Sequence, residues 1–516
     1  MISWPARISE KDINPALYLA SGALVYVFLL FSPQWLWFNV IILLFLATWF
    51  VVKPRQGVAF IVYCYPVMSC GYYMLWSIGM PYDFVVSLNV PEVETSVAPL
   101  ENKVTFLQFQ VVSMLLLPSI LFYLRGFFFK VTVNRTLIYI LFFFFIWCLW
   151  VAYISRMPDK SIFGLSRFAS VVILSLFITI FITNLADIRR LMVAHCCAAL
   201  VLSFFAYYGT YYGFEDVSHI FIVRSLKIIQ FQSLFNGANT FKADIQGMLP
   251  GFGLSGKHEF STFVAAGFFF SLYLAVTTPR KSFRLFYFIA CMVLFTDLFY
   301  APSKLTIVGV IFGSLLTAVL IPGLRKNIAI IAFVIIAFLI VALTVSQFLR
   351  PPHEKKMSGM TRNFTVVNDS SEFSQKSFKA RLAIMRQALD HAKKTHLLGI
   401  GPDMLQRDHI FTHVHGHNLF ITLLVEYGAP ALLCVIILGI LLVRRVTRLL
   451  LTPGRRFNPE FLALLSITSA FIAIFFEHNF DCFVWTPHLW IIGTLLWITA
   501  HIVYQKDSSQ AWSRPL

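Results

Sequence analysis

Apolar stretches of bilayer-crossing length recur from one end of the sequence to the other. They lie near 16–31, 35–52, 57–79, 105–124, 136–154, 167–184 and 191–213. A second set lies near 259–278, 284–300, 303–321, 327–348, 418–443, 459–477 and 484–504. A helix needs about 20 apolar residues to cross a hydrocarbon core roughly 30 Å thick. About fourteen such runs therefore predict an all-α, polytopic integral membrane protein. Only 13% of the residues are charged, against about 25% in soluble domains, so no sizeable soluble domain is expected. The first run is read as a retained helix. Arg7 and Lys11 are interleaved with Glu10 and Asp12 before it, and no small-residue cleavage site follows.

The formal net charge of +17 raises nucleic acid as a partner. The placement of the charge excludes it. With the N-terminus in the cytoplasm, the inner loops carry clusters such as Lys53 and Arg55, Arg189 and Arg190, Arg280 with Lys281 and Arg284, and Arg444, Arg445 and Arg448. The short outer loops carry only Lys103, Arg156 and Lys160. This is the positive-inside bias of a membrane protein, and it puts both termini in the cytoplasm. Two long loops then face outward. The chain divides into N-terminal transmembrane helices over 1–349, with one outer loop near 214–258, a long outer loop over 350–417, and C-terminal transmembrane helices over 418–516. Six cysteines (Cys64, Cys148, Cys196, Cys197, Cys291 and Cys434) lie inside apolar runs and read as small apolar side chains.

The 350–417 loop holds eleven Lys and Arg against six Asp and Glu, and seven of the thirteen histidines. Within it, 377-SFKARLAIMRQALDHAKK-394 reads as an amphipathic helix. Ser377 is its expected N-cap. Leu382, Met385 and Leu389 form its expected apolar face. Lys393 and Lys394 complement its C-terminus. The turn 397-LLGIGPD-403 ends it. Then come His413, His415 and His417, directly before the span that Asn418 opens.

This order of elements resembles the C-terminal signature of bacterial O-antigen ligases and O-antigen-type polysaccharide polymerases. In that signature an Arg on a loop helix is followed by a G-[IV]-G turn. A His-Asn pair then opens a helix containing Glu-x-Gly. The matching elements here are Arg381, Gly399-Ile400-Gly401, His417-Asn418 and Glu426-Tyr427-Gly428. The family often has a Ser-Arg pair at the outer start of an earlier span, where this chain has Ser303-Lys304. Lys keeps the charge and loses the bidentate fork.

The resemblance implies a metal-independent membrane glycosyltransferase without a cofactor. Its donor is a glycan on a polyprenyl (undecaprenyl) diphosphate. Its acceptor is a sugar hydroxyl on lipid A–core or on another lipid-linked glycan. It further implies the bacterial inner membrane, a site on the periplasmic side, and work beside other polysaccharide-assembly proteins. His417 and Arg381 are the expected catalytic residues, and Lys304 inherits a phosphate-binding role. The chemistry agrees. A sugar hydroxyl is a poor nucleophile and needs a positioned base, which His supplies near neutral pH. A departing diphosphate gathers negative charge, which Arg and Lys stabilise.

Other residues carry competing readings. His415, Asn418, Lys257, His258 and Arg386 are further substrate-binding candidates, while solvated loop charge is the plainer account of Lys257 and His258. Arg386 lies about 140° around an ideal helix from Arg381, so one small site does not take both. His413-x-His415-x-His417 also fits metal ligation on an extended strand. Glu426 reads as a buried structural acid with a bonded partner. The stretch 477-EHNFD-481 repeats the His-Asn pair with no Arg helix or G-x-G turn before it, so His478 reads as structural. Asp297 is placed to pair with Lys304. The rival class is a polytopic transporter or flippase of lipid-linked oligosaccharide. That class predicts midplane charge and paired broken helices in two related halves.

Overall fold

The computed structural model describes residues 15–16, 19–20, 36–68, 72–73, 106–107, 113, 115–120, 135–212, 257–300, 303–321, 372–402, 404–407, 418–452, 458–479 and 487–512. Almost all of these residues are helical. The exception is a two-residue antiparallel pairing of β1 (Tyr72–Tyr73) with β2 (Phe106–Leu107). The helices are α1 (Leu36–Val52), α2 (Pro54–Met68), α3 (Arg135–Ile154), α4 (Pro158–Phe181), α5 (Leu185–Tyr212), α6 (Lys257–Thr277), α7 (Lys281–Tyr300) and α8 (Lys304–Leu320). They continue with α9 (Glu372–Lys394), α10 (Met404–Arg407), α11 (Leu419–Thr422), α12 (Gly428–Leu451), α13 (Pro459–His478) and α14 (Pro487–Trp512). A single π-helical stretch, Leu423–Tyr427, joins α11 to α12. The expected runs at 16–31, 105–124 and 327–348 lie largely outside the described residues.

Four helical stretches among the described residues are long and apolar enough to cross a membrane: Gly164–Phe181, Phe260–Thr277, Leu419–Leu451 and Pro459–His478. Large apolar side chains also cover the outside of the bundle. Tyr139, Phe142, Phe143, Ile146, Leu149 and Trp150 on α3, and Leu433, Ile436, Ile437, Ile440 and Val443 on α12, are exposed. In water such a surface drives association. In hydrocarbon it is the ordinary exterior of a spanning bundle, and the chain is a multi-pass membrane protein. The six cysteines are buried and free.

The core is organised around α6, which packs against α5, α7 and α13. On the far side α8 lies against α13. Lipid tails are as apolar as leucine, so spanning helices associate through close packing and interhelical hydrogen bonds. The sequence 309-GVIFG-313 supplies both. A Cβ on Gly309 would stand 2.6 Å from Ala473 Cα, and one on Gly313 would stand 2.8 Å from the Ser469 carbonyl. Ser469 Oγ donates to the Gly313 carbonyl at 3.0 Å. The crossing brings the start of α8 against the end of α13.

At the opposite end, Arg55 and Arg190 both pair with Asp187, and Arg189 donates to Thr278 at 2.8 Å. Arg55, Arg189 and Arg190 therefore gather at one end of the bundle. The starts of α6, α8, α11 and α14 gather at the other with the end of α13.

Candidate functional site

The site is built around the break in the span that follows the long loop. A π turn leaves carbonyls out of the regular helical ladder, and three of these find partners outside the helix. Ile400 N–H donates to Val425 O at 3.0 Å, and Gly401 N–H donates to Glu426 O at 3.0 Å. Trp147 Nε1 donates to Tyr427 O at 2.7 Å. From the other side, Ala429 N–H donates to Leu397 O at 2.8 Å. The Gly-Ile-Gly turn and the Glu-Tyr-Gly segment are thus two halves of one backbone joint.

Glycine is required on both halves. Gly399, Gly401 and Gly428 have φ of 95°, 114° and 82°, where a side chain is strained. A Cβ on Gly399 would stand 2.8 Å from Glu426 O, and one on Gly428 would stand 2.5 Å from Leu398 O. Gly401 also passes against the hydroxyls of Ser155, in the turn between α3 and α4, and Ser161, in the first turn of α4.

Glu426 is 7% exposed, and its Oε1 accepts from Leu405 N–H at 3.3 Å. It fastens α10 to the joint, the structural role its position suggested. Tyr427 is held between Phe144 and Phe168, with ring centroids 6.5 and 5.6 Å away.

The loop helix docks on this joint by a different face from the one expected. Ile384, Ala388 and Ala392 are buried, and Ala388 and Ala392 pack with Leu405 and Val425. Leu382 is 37% exposed, and Met385 and Leu389 are only half-buried. The alanines let the helix backbone approach the π turn, which a stripe of leucines would hold off. The helix also begins at Glu372, so Ser377 lies inside it rather than capping it. An acidic first residue suits the positive end of the helix dipole.

Arg381 shares the buried stripe at i, i+3, i+7 with Ile384 and Ala388. It is half-buried, whereas Arg386 is exposed. The two arginines therefore face different surroundings.

Asn418 opens the span. Its Oδ1 accepts from the N–H groups of Phe420 and Ile421 at 3.0 and 3.1 Å. Its Nδ2 donates to the Asn479 carbonyl at 3.0 Å. Both ends of the side chain are fixed, so the peptide that joins it to His417 leaves from a rigid point. His413, His415 and His417 themselves lie outside the described residues.

Lys304 opens α8, and Lys257 and His258 open α6. Their side chains also lie outside the described set. Asp297 accepts a hydrogen bond from Ser203 Oγ, while its expected pairing with Lys304 falls on that undescribed side chain.

The same end holds a buried polar cluster that sequence reasoning did not assemble. Ser303 Oγ donates to Glu477 Oε2, and Thr306 Oγ1 donates to the same oxygen at 3.0 Å. The rings of His478 and His488 are 4.9 Å apart, and His488 Nε2 meets Thr262 Oγ1 on α6. The available signal was an acid and a histidine at the end of an apolar run, where unmatched polar groups are costly.

A search of curated proteins finds no match to the chain. Residues 289–436 match a family model described as O-antigen ligase. The matched region runs from within α7 through α8, the long loop and α9 into α12, and so includes Ser303-Lys304, Arg381, the glycine joint and His417-Asn418. Through this region the chain resembles the O-antigen ligase/polymerase family.

Proposed function

We propose that the protein transfers a glycan from a polyprenyl diphosphate carrier to a sugar hydroxyl, as an O-antigen ligase or polymerase. The observation that carries this is the backbone joint, which fixes the Arg381 helix beside the span that His417-Asn418 opens. The site sits at one mouth of an apolar-surfaced bundle. An amphiphilic donor is suited by that arrangement, with its tail in the hydrocarbon and its diphosphate at the interface. The bundle lies in the bacterial inner membrane with this mouth on the periplasmic side.

In the reaction, neutral His417 accepts the acceptor hydroxyl's proton as that oxygen attacks the anomeric carbon. The bond from the anomeric carbon to the diphosphate breaks, and the diphosphate leaves with the bonding pair. Arg381 and Lys304 stabilise the negative charge that collects on the leaving group. His415, Lys257 and His258 are the further residues assigned to binding glycan and phosphate.

The deciding experiment is the lipid-linked product that accumulates when the gene is deleted. Single repeat units on the carrier identify a polymerase, and long chains on the carrier identify a ligase. Unchanged lipid-linked glycans overturn the proposal.

A further inference from the structure

The end of α13 places three successive residues against three different parts of the site. Glu477 reaches the start of α8 through Ser303 and Thr306. The His478 ring lies tilted against that of His488, which contacts Thr262 on α6. The Asn479 carbonyl holds Asn418. All of α13 lies beyond the residues that the family model matches.

Glu477 is 0% exposed. It is the penultimate residue of α13, at the negative end of the helix dipole, where an acid is unfavourable. A buried carboxylate also costs stability unless it is bonded, and apolar residues of the same volume serve a core as well or better. Neither helix stability nor packing explains an acid here. Its partners are more informative. Ser303 caps α8, and its Oγ accepts from Thr306 N–H at 3.2 Å. The Glu477 carboxylate therefore sets the rotamer of the cap and ties the first turn of α8, with Lys304 as its first residue, to α13.

We propose that Glu477 is a positioning residue of the donor site, acting through Ser303 and Thr306 to hold the Lys304 turn in register for the diphosphate. This rests on the glycosyltransferase reading above.

The test is binding of undecaprenyl diphosphate to the full chain in lipid nanodiscs, beside transfer kinetics. Glu477→Gln keeps the shape of the side chain and one acceptor oxygen but loses the charge. It should weaken binding about tenfold, the scale of a hydrogen bond to a charged group. It should raise the donor KM and leave the acceptor KM unchanged, which a merely structural lesion would not do. Lys304→Ala should weaken binding similarly. The double variant should bind no more weakly than the worse single variant, because the two act as one unit. Thr306→Val removes one hydroxyl donor to Oε2 and gives an independent reading should Glu477→Gln misfold. Wild-type affinity in Glu477→Gln or in Thr306→Val, or losses that multiply in the double variant, would overturn the proposal. Wild-type chain that binds the diphosphate but transfers no glycan defeats the function reading alone. Wild-type chain that does not bind it defeats both.

Discussion

Gly428→Ala is the sharpest perturbation of the joint between loop and span. Gly428 has φ 82° and ψ 172°, a region essentially restricted to glycine, and forcing another residue there costs about 1–3 kcal/mol. The added Cβ would also stand 2.5 Å from Leu398 O and 2.6 Å from Leu398 C. Those are backbone atoms, so they must move, and the neighbouring bond from Ala429 N–H to Leu397 O is lost with them. One such bond contributes about 0.5–1.5 kcal/mol. Together the docking of residues 397–405 should weaken by roughly 2–4 kcal/mol. This corresponds to about 30- to 10³-fold faster exchange through local opening. Hydrogen–deuterium exchange at the amides of Ile400, Gly401 and Ala429 reads this directly. Amides of α6 and α13 serve as the internal control, because they lie in the core away from the joint. Faster exchange confined to the joint, with a fall in glycan transfer, is the expected result. Unchanged protection at Ile400 and Gly401 with normal transfer would refute the claim that the joint positions the site.

Three further outcomes follow from the same reading. Arg381→Ala should lower transfer by about 10²–10³-fold while insertion is kept, the scale of losing one preorganised charge-stabilising group, and Arg381→Lys should recover only part because it lacks the planar fork; steady-state transfer assays check both. His417→Ala should lower single-turnover transfer about 10²–10⁴-fold. In the wild type the rate should fall as pH drops through the histidine pKa, near 6.5 in the reference state, because protonation removes the accepting lone pair, and that acid limb should vanish in the variant. A reporter active only outside the cytoplasm should be active when fused near residue 235 or 365 and silent near 282 or 452, and the reverse pattern would invert the topology.

The four spans that the described residues show were legible because bilayer crossing imposes a long apolar run that composition cannot hide. The motif order was legible because its glycines and charges stand out in such a chain. The joint itself was not. Its bonds run between main-chain groups of 397–401 and 425–429, and backbone pairing leaves no side-chain signature beyond the glycines. The docking face of α9 was misassigned for a related reason. Size and spacing point to the large apolar residues as the buried stripe, but close approach to the π turn selects Ala388 and Ala392 and leaves Leu382 outside. Glu477 was missed because its partners, Ser303 and Thr306, are about 170 residues away in sequence. The crossing at Gly309 and Gly313 brings them together.

The transporter alternative makes a structural demand that the described residues do not meet. Alternating access is served by helices broken near the midplane, whose freed backbone groups line a cavity and bind the substrate. Here the break lies at Leu423–Tyr427, at the start of the span Leu419–Leu451. Its carbonyls are taken up by Ile400, Gly401 and Trp147. A break whose carbonyls are already bonded to neighbouring elements holds parts of the protein together and leaves those groups less available to a passing solute. The partners it selects are the loop that carries Arg381 and the span that Asn418 caps. The buried acid of α13 ties down the same end of the bundle through Ser303 and Thr306. Such an end can hold an amphiphilic donor at the interface while an acceptor approaches from the aqueous side. That is what glycan transfer between a lipid carrier and a sugar hydroxyl requires, and it needs no passage of the substrate through the bundle.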